Sequence, residues 1–281
     1  MAQLLTGKEV SAALKEKMAV QVQDLTAAGK TPTLAILRVG ERPDDLSYER
    51  SAMKVAAGLG IEARQFVLPA DASQDDIAAA IDQINVDDSI HGCLMFRPLP
   101  KGIDETALCN RLAVEKDMDG IGLPALAAIF AGTGQGYAPC TAQACVEMCD
   151  YYQVPLQGKH VVVVGRSLVI GKPVSMLFLQ KNATVTICHS RSENLSEITR
   201  RADIVVLATG RAKAYGAEYF SAGQTVLDVG INVDAEGNLC GDVDFDAVEP
   251  LVAAITPVPR GVGSVTTALL MQHVVQAAEQ A

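Results

Sequence analysis

The sequence predicts an α/β protein built as two α/β domains flanking a cleft, the second a Rossmann-type dinucleotide-binding domain. Three observations lead there. Strand-like and helix-like segments alternate along almost all of the 281 residues, which implies parallel strands joined by right-handed helical crossovers. A glycine-rich stretch, Gly132-Thr133-Gly134-Gln135-Gly136, interrupts the series and marks a boundary. Beyond it four consecutive valines, Val161-Val162-Val163-Val164, suit a strand buried on both faces and run straight into Gly165. The reading therefore places one domain over 1–137, a second over 138–263, and a closing helix over 264–281 that joins the first.

The elements follow in order. Residues 9–28 have helical periodicity and stop at Gly29. Residues 33–39 (TLAILRV) read as a strand, 44–59 as a helix closed by Gly60, and 64–68 as a second strand. A helix over 73–84 and a third strand over 90–96 complete the first series. After the boundary, a helix over 142–152 precedes strands at 161–164, 184–187, 204–207 and 226–229, the compact layout of a Rossmann domain. Residues 263–281 read as the final helix.

A formal charge of −10 argues against a nucleic-acid surface, which needs a basic stripe. It leaves room for anionic small ligands, for which Arg166, Lys172, His189 and Arg191 offer a local cluster of cations. No apolar run reaches the ~18 residues of a membrane span. The N-terminal residues show no pattern of a secretory signal, so a cytoplasmic protein is expected. Seven scattered cysteines without a CxxC pair read as reduced, buried thiols, and four isolated histidines predict no metal site.

The chemistry concentrates after Val164. A strand, a glycine turn and the helix pattern that opens at Gly171-Lys172-Pro173 make a phosphate site, because unpaired amides and the helix dipole point outward there. Five residues separate Gly165 from Gly171, so the turn is neither the G-x-G-x-x-G fingerprint nor a P-loop. An ordinary β-to-α connection is the competing reading.

Eight strings carry a resemblance: K-D-M-D-G (116–120), P-C-T (139–141), G-x-x-V-V-V-V-G-R-S-x-x-x-G-x-P (158–173), A-T-V-T-I-C-H-S (183–190), A-D-I-V-V-L-A-T-G (202–210), D-V-G-I-N (228–232), G-D-V-D (241–244) and T-P-V-P-x-G-V-G (256–263). Together they resemble the bifunctional methylenetetrahydrofolate dehydrogenase/methenyltetrahydrofolate cyclohydrolase family, from Leu5-Thr6-Gly7-Lys8 to the final helix. The resemblance implies oxidation of 5,10-methylenetetrahydrofolate by NADP, then hydrolysis to 10-formyltetrahydrofolate. It implies a folate-binding first domain, an NADP-binding second domain and a homodimer. Tyr48 resembles the tyrosine that stacks on the folate, and Asp119 the acid that bonds the pteridine. Read from the residues alone, Tyr48 equally suits a half-buried helix tyrosine and Asp119 a turn before Gly120. Phe96, Arg97, Pro98, Leu99, Pro259 and Gly261 fall on the family's substrate-binding segments. Gly165, Arg166, Ser167 and Gly171 match its nucleotide turn, while Thr209, Gly210, Gly230, Ile231 and Asn232 lie after later strands as ligand loops do. The second strand of this domain ends in Cys188-His189-Ser190-Arg191, without the acid that holds the ribose of NAD. NADP is therefore expected, with Arg166, Ser190 and Arg191 near its 2′-phosphate.

The chain also departs from the pattern. The family's Y-x-x-x-K reads here Tyr48-Glu49-Arg50-Ser51-Ala52, so the catalytic lysine position is Ala52. Lys54 is the nearest candidate replacement, yet two residues along a helix is about 200° of rotation, and it reads as a surface lysine. The glutamine of V-Q-L-P-L-P is Phe96, and P-G-G-V-G-P has become Pro259-Arg260-Gly261-Val262-Gly263-Ser264. Either Arg260 or Arg97 could meet an anionic folate tail. Hydride transfer depends mainly on alignment, whereas hydrolysis must move protons, so a cyclohydrolase weaker than the dehydrogenase is expected. The competing readings are a folate or nucleotide sensor without catalysis, and another two-domain dehydrogenase.

Overall fold

The computed structural model describes residues 1–281. Their contacts form two compact units, Met1–Ala12 with Thr141–Thr266 and Ala13–Cys140 with Thr267–Ala281. The contact-based units differ from the expected bounds in two places. The break falls after Cys140 rather than after residue 137, and the first twelve residues belong with the nucleotide-type unit. The cause is β1 (Gln3–Leu4), which pairs in parallel with Ala254 and Ile255. A strand of two residues is too short to carry a periodic pattern.

In the three-stranded unit the elements are α1 (Gly7–Ala27, beginning in the other unit), β2 (Thr33–Val39), α2 (Pro43–Leu59), β3 (Glu62–Leu68), α3 (Gln74–Val86), β4 (Gly92–Met95), α4 (Glu105–Arg111), and α5 (Leu123–Ala131). The order β3-β2-β4 is parallel throughout. All seven residues of central β2 are buried, Arg38 included. Its guanidinium meets buried Glu49 at 2.6 Å and also bonds the Gly40 carbonyl, while Gln65 bonds Glu49. That set of partners is what makes a buried ion pair tolerable. Helix α2 starts at a proline in its first turn and ends at Gly60, whose φ of +78° suits glycine. Its buried stripe is Asp45, Glu49, Ala52 and Ala56, the 4-3-4 spacing of one helix face. Helix α3 carries a Ser73–Asp76 capping box and buries Ile77, Ala80, Ile81 and Ile84. The third strand is shorter than the expected 90–96. Phe96 lies just outside it, although its N–H still reaches Leu37 O at 2.9 Å.

The six-stranded unit adds α6 (Cys140–Tyr151), β5 (His160–Val164), α7 (Gly171–Gln180), β6 (Thr184–Cys188), α8 (Leu195–Arg200), β7 (Ile204–Leu207), β8 (Thr225–Asp228), β9 (Asn232–Val233), β10 (Leu239–Cys240), α9 (Phe245–Val248) and β11 (Ala254–Ile255). The parallel order is β1-β11-β8-β7-β5-β6, so the winding reverses beside β5. Such a reversal opens a crevice at the carboxyl ends of the strands. The valines of β5 are at most 1 % exposed. The final helix, α10 (Thr266–Gln280), is buried along most of its length and packs with the three-stranded unit.

Candidate active site

At the end of β5 the chain turns through Gly165, with φ of +144°. A Cβ there would stand 2.5 Å from Ala208 O, and one on Gly171 would stand 2.3 Å from Gly165 O. Only glycine lets the turn close on itself and on the loop after β7. Ser167 Oγ accepts from the N–H of Ile170 at 3.1 Å and of Gly171 at 3.4 Å, so this side chain braces the turn that leads into α7. Arg166, Ser190 and Arg191 are exposed just beyond the paired Val164 and Cys188. His189 shapes that turn: its N–H donates to Ser192 Oγ at 2.9 Å and its Nδ1 accepts from Arg191 N–H at 3.2 Å.

The loops after β7 and β8 are held by two buried acids. Asp242 accepts from Thr209 N–H (2.6 Å), Thr209 Oγ1 (2.9 Å), Gly210 N–H (3.2 Å), Arg211 N–H (2.8 Å) and Asn232 Nδ2 (3.0 Å). Asp228 accepts from the N–H groups of Gly230 (3.1 Å), Asp242 (3.0 Å) and Val243 (2.9 Å). Burial pushes Asp228 up to about 7, against those amides. A Cβ on Gly230 would meet Asp242 at 2.3 Å, and one on Gly241 would strike the Asp228 carboxylate, so both glycines make room for the acids. The Asn232 side chain thus serves as a strut between loops. Gly230 and Ile231 line a cavity of about 230 Å³ together with Pro257, Pro259 and Gly261, joining expected cofactor and substrate positions within one unit.

In the three-stranded unit Tyr48 and Phe96 meet edge to face, with centroids 5.9 Å apart and planes at 86°. Arg97 lies 3.8 Å from Glu105, whose other oxygen accepts Leu99 N–H at 2.7 Å. Glu105 thereby fixes the 97–99 segment, with Leu99 buried and Pro98 exposed. Burial raises the Asp119 carboxyl, while Cys140 N–H at 3.0 Å and the charge of Arg97 pull it down. Asp117 does different work: its oxygens take the N–H groups of Ile121 and Gly122 and form the turn. Ala52 is fully buried, whereas Lys54 is exposed. Sequence reading missed Glu105, Asp228 and Asp242 as site-shaping residues. Only the D-V-G and G-D-V-D strings hinted at the last two.

The family models for the tetrahydrofolate dehydrogenase/cyclohydrolase catalytic domain and NAD(P)-binding domain match residues 5–119 and 139–281. The chain belongs to the tetrahydrofolate dehydrogenase/cyclohydrolase family. Among its relatives, the bifunctional protein FolD of Carboxydothermus hydrogenoformans is 50 % identical over 281 residues, covering 99 % of this chain and 98 % of the relative. The bifunctional protein FolD of Clostridium botulinum is 47 % identical, covering 100 % and 99 %. The crystal structure of the bifunctional FolD dehydrogenase/cyclohydrolase from Campylobacter jejuni superposes with a TM-score of 0.97 at 34 % identity, over 100 % of this chain and 99 % of that one. The Trypanosoma brucei enzyme, solved with NADP and an inhibitor, gives 0.92 at 32 %, covering 99 % and 98 %. Family membership thus rests on both units.

Proposed function

We propose that this chain oxidises 5,10-methylenetetrahydrofolate to 5,10-methenyltetrahydrofolate with NADP, and performs the subsequent hydrolysis to 10-formyltetrahydrofolate only weakly. The first half is supported by family membership and by a cradle that fits the dinucleotide. The glycines hold the turn after β5 close against the loop after β7, leaving room beside the start of α7. Exposed cations flank the end of β6, where no acid stands against a 2′-phosphate. NADP, when bound, accepts the hydride that leaves the bridging carbon with its electron pair.

The chain's own residues align and hold. Tyr48 and Phe96 offer aromatic faces and edges to the pteridine, and Asp119 accepts its N–H donors. Arg97, Pro98 and Leu99 form the neighbouring wall in the same unit, while in the six-stranded unit Pro259 and Gly261 line the small cavity beside Ile231. Gly165, Arg166, Ser167, Gly171, His189, Ser190, Arg191, Thr209, Gly210, Gly230, Ile231 and Asn232 shape the nucleotide loops. Hydride transfer leaves a resonance-stabilised cation and moves no separate proton. In hydrolysis, water bonds to that carbon, its proton must depart, and the bond to N5 opens. A positioned acid or base accelerates such steps by about 10²–10⁴.

The observation that carries the asymmetry is Ala52, a methyl group on the buried stripe of α2 where the family pattern has a lysine, with Lys54 turned to solvent. The test follows NADPH and methenyl-folate absorbance together in purified protein. The expected dehydrogenase rate exceeds the cyclohydrolase rate by about 10² or more. Equal rates overturn the asymmetry, and tight folate binding without NADPH formation would instead mark a sensor.

Edge strand β6, exposed on one side, supports a homodimer paired across a two-fold axis, which sedimentation would test. Seven buried free thiols support a reducing, cytoplasmic setting. No helix is long and apolar enough to cross a membrane.

A further inference from the structure

We propose that His273 is a positioning residue for the folate-binding acid, acting through the Met118 carbonyl to set where the Asp119 carboxylate stands. This inference rests on the reading of Asp119 given above. His273 lies on α10, 1 % exposed. Its Nδ1 is 2.7 Å from Met118 O. A carbonyl oxygen only accepts, so Nδ1 carries the proton and the tautomer is fixed by its partner. The Tyr137 ring stacks on the imidazole with centroids 4.7 Å apart and planes at 28°, which fixes the ring's orientation as well.

The segment it grips has little freedom elsewhere. The Met118 side chain lies across Gly92, where a Cβ would stand 2.4 Å from it. The Cys140 thiol also donates to Met118 O, at 3.4 Å, while Cys140 N–H donates to Asp119. Gly120 follows with φ of +56°, and a Cβ there would stand 2.5 Å from Tyr137 O. Met118 and Gly120 are therefore fixed on either side of Asp119. The His273 bond is the short one on the peptide unit that joins Met118 to Asp119, so removing it loosens the acid without touching substrate.

Two variants separate hydrogen bonding from packing. In His273→Asn the amide nitrogen can stand near the Nδ1 position and keep a donor for Met118 O. In His273→Leu the volume is similar and the donor is gone. Expected for the leucine variant is a KM for methylenetetrahydrofolate raised about tenfold, the effect of one buried hydrogen bond, with the KM for NADP unchanged. The asparagine variant should stay within about threefold of the parent for both. An unchanged folate KM in His273→Leu, or equal impairment in both variants, overturns the inference. Asp119→Ala distinguishes the two levels. A raised folate KM there with none in His273→Leu sinks the role of His273 alone, whereas an unchanged KM in Asp119→Ala sinks the reading of Asp119 and this inference with it. Should the leucine variant fail to fold, ¹⁵N NMR of the unaltered protein still decides: a protonated Nδ1 is expected, and a protonated Nε2 with bare Nδ1 overturns the proposal.

Discussion

One buried cluster in each unit satisfies its backbone partners with opposite chemistry. In the three-stranded unit Lys116 and His273 donate, beside the accepting turn carboxylate of Asp117. Lys116, 8 % exposed, gives its ammonium protons to the carbonyls of Ile84, Asn85 and Asp87 at 2.8–3.0 Å, and His273 serves the Met118 carbonyl. In the six-stranded unit the side chains accept: Asp228 and Asp242 gather N–H and O–H donors from three loops. The difference follows from what each place leaves unpaired. The last turn of α3 presents carbonyls and the negative end of a dipole, which a cation suits. Loops leaving the carboxyl ends of parallel strands present amides, which a carboxylate suits.

The comparison can be broken at several points. Asp242→Ala leaves five donors without their acceptor and should cost about 3–5 kcal/mol in urea unfolding, as stranding several buried donors at once does. A loss under ~1 kcal/mol would mean that water replaces the carboxylate with ease.

Opposite pH slopes come next. Asp228, with an ordinary value of 3.8, is pushed up to about 7 by burial, so the folded state holds its proton more tightly than the unfolded chain does. Its contribution is complete below about pH 4 and is lost as pH rises through 7, on the order of 4 kcal/mol. His273 is held down to about 4 by burial, from 6.5. Its contribution is complete above pH 6.5 and is lost as pH falls through 4, about 3 kcal/mol. Unfolding series from pH 4 to 8 for the parent, Asp228→Asn and His273→Asn should show the two parent-minus-variant differences sloping in opposite directions. Slopes of one sign would end the contrast.

The smallest effects concern the lysines. Lys116→Met strands three carbonyls and should cost about 2–3 kcal/mol. Lys54→Ala, on the surface, should change stability by less than about 0.5 kcal/mol and leave both reaction rates alone. Loss of hydrolysis in Lys54→Ala would show that this lysine reaches the folate after all.

Much of this was readable beforehand. The strands at 33–39 and 204–207 coincide with β2 and β7, because continuous apolar runs mark strands covered on both faces. Ser73, Gly29 and Gly60 mark helix ends by their local chemistry alone. The two-residue strands β1, β9, β10 and β11 carry no period to detect, and α4, α5 and α8 are short enough for their patterns to pass as loop. At the site, glycine spacing located the nucleotide turn, but it could not tell a ligand contact from a brace. Ser167 and Asn232 turn out to bond backbone and Asp242, and a lone histidine on an apolar helix gave no hint of the Met118 carbonyl. His273 finds its Met118 partner 155 residues away and Asn232 finds Asp242 ten residues away in another loop, and no periodic pattern encodes either pairing.

The pairing of β1 with β11 has a consequence for biosynthesis. Gln3 and Leu4 leave the ribosome early, yet their strand partners Ala254 and Ile255 arrive about 250 residues later, and α10 then travels back to the unit that began at Ala13. Neither half can be finished from a nascent chain that stops short of residues 254–280. Both must wait, partly assembled, for that stretch to emerge, and a fragment cut at the boundary would inherit an open sheet edge in one piece and a missing helix in the other.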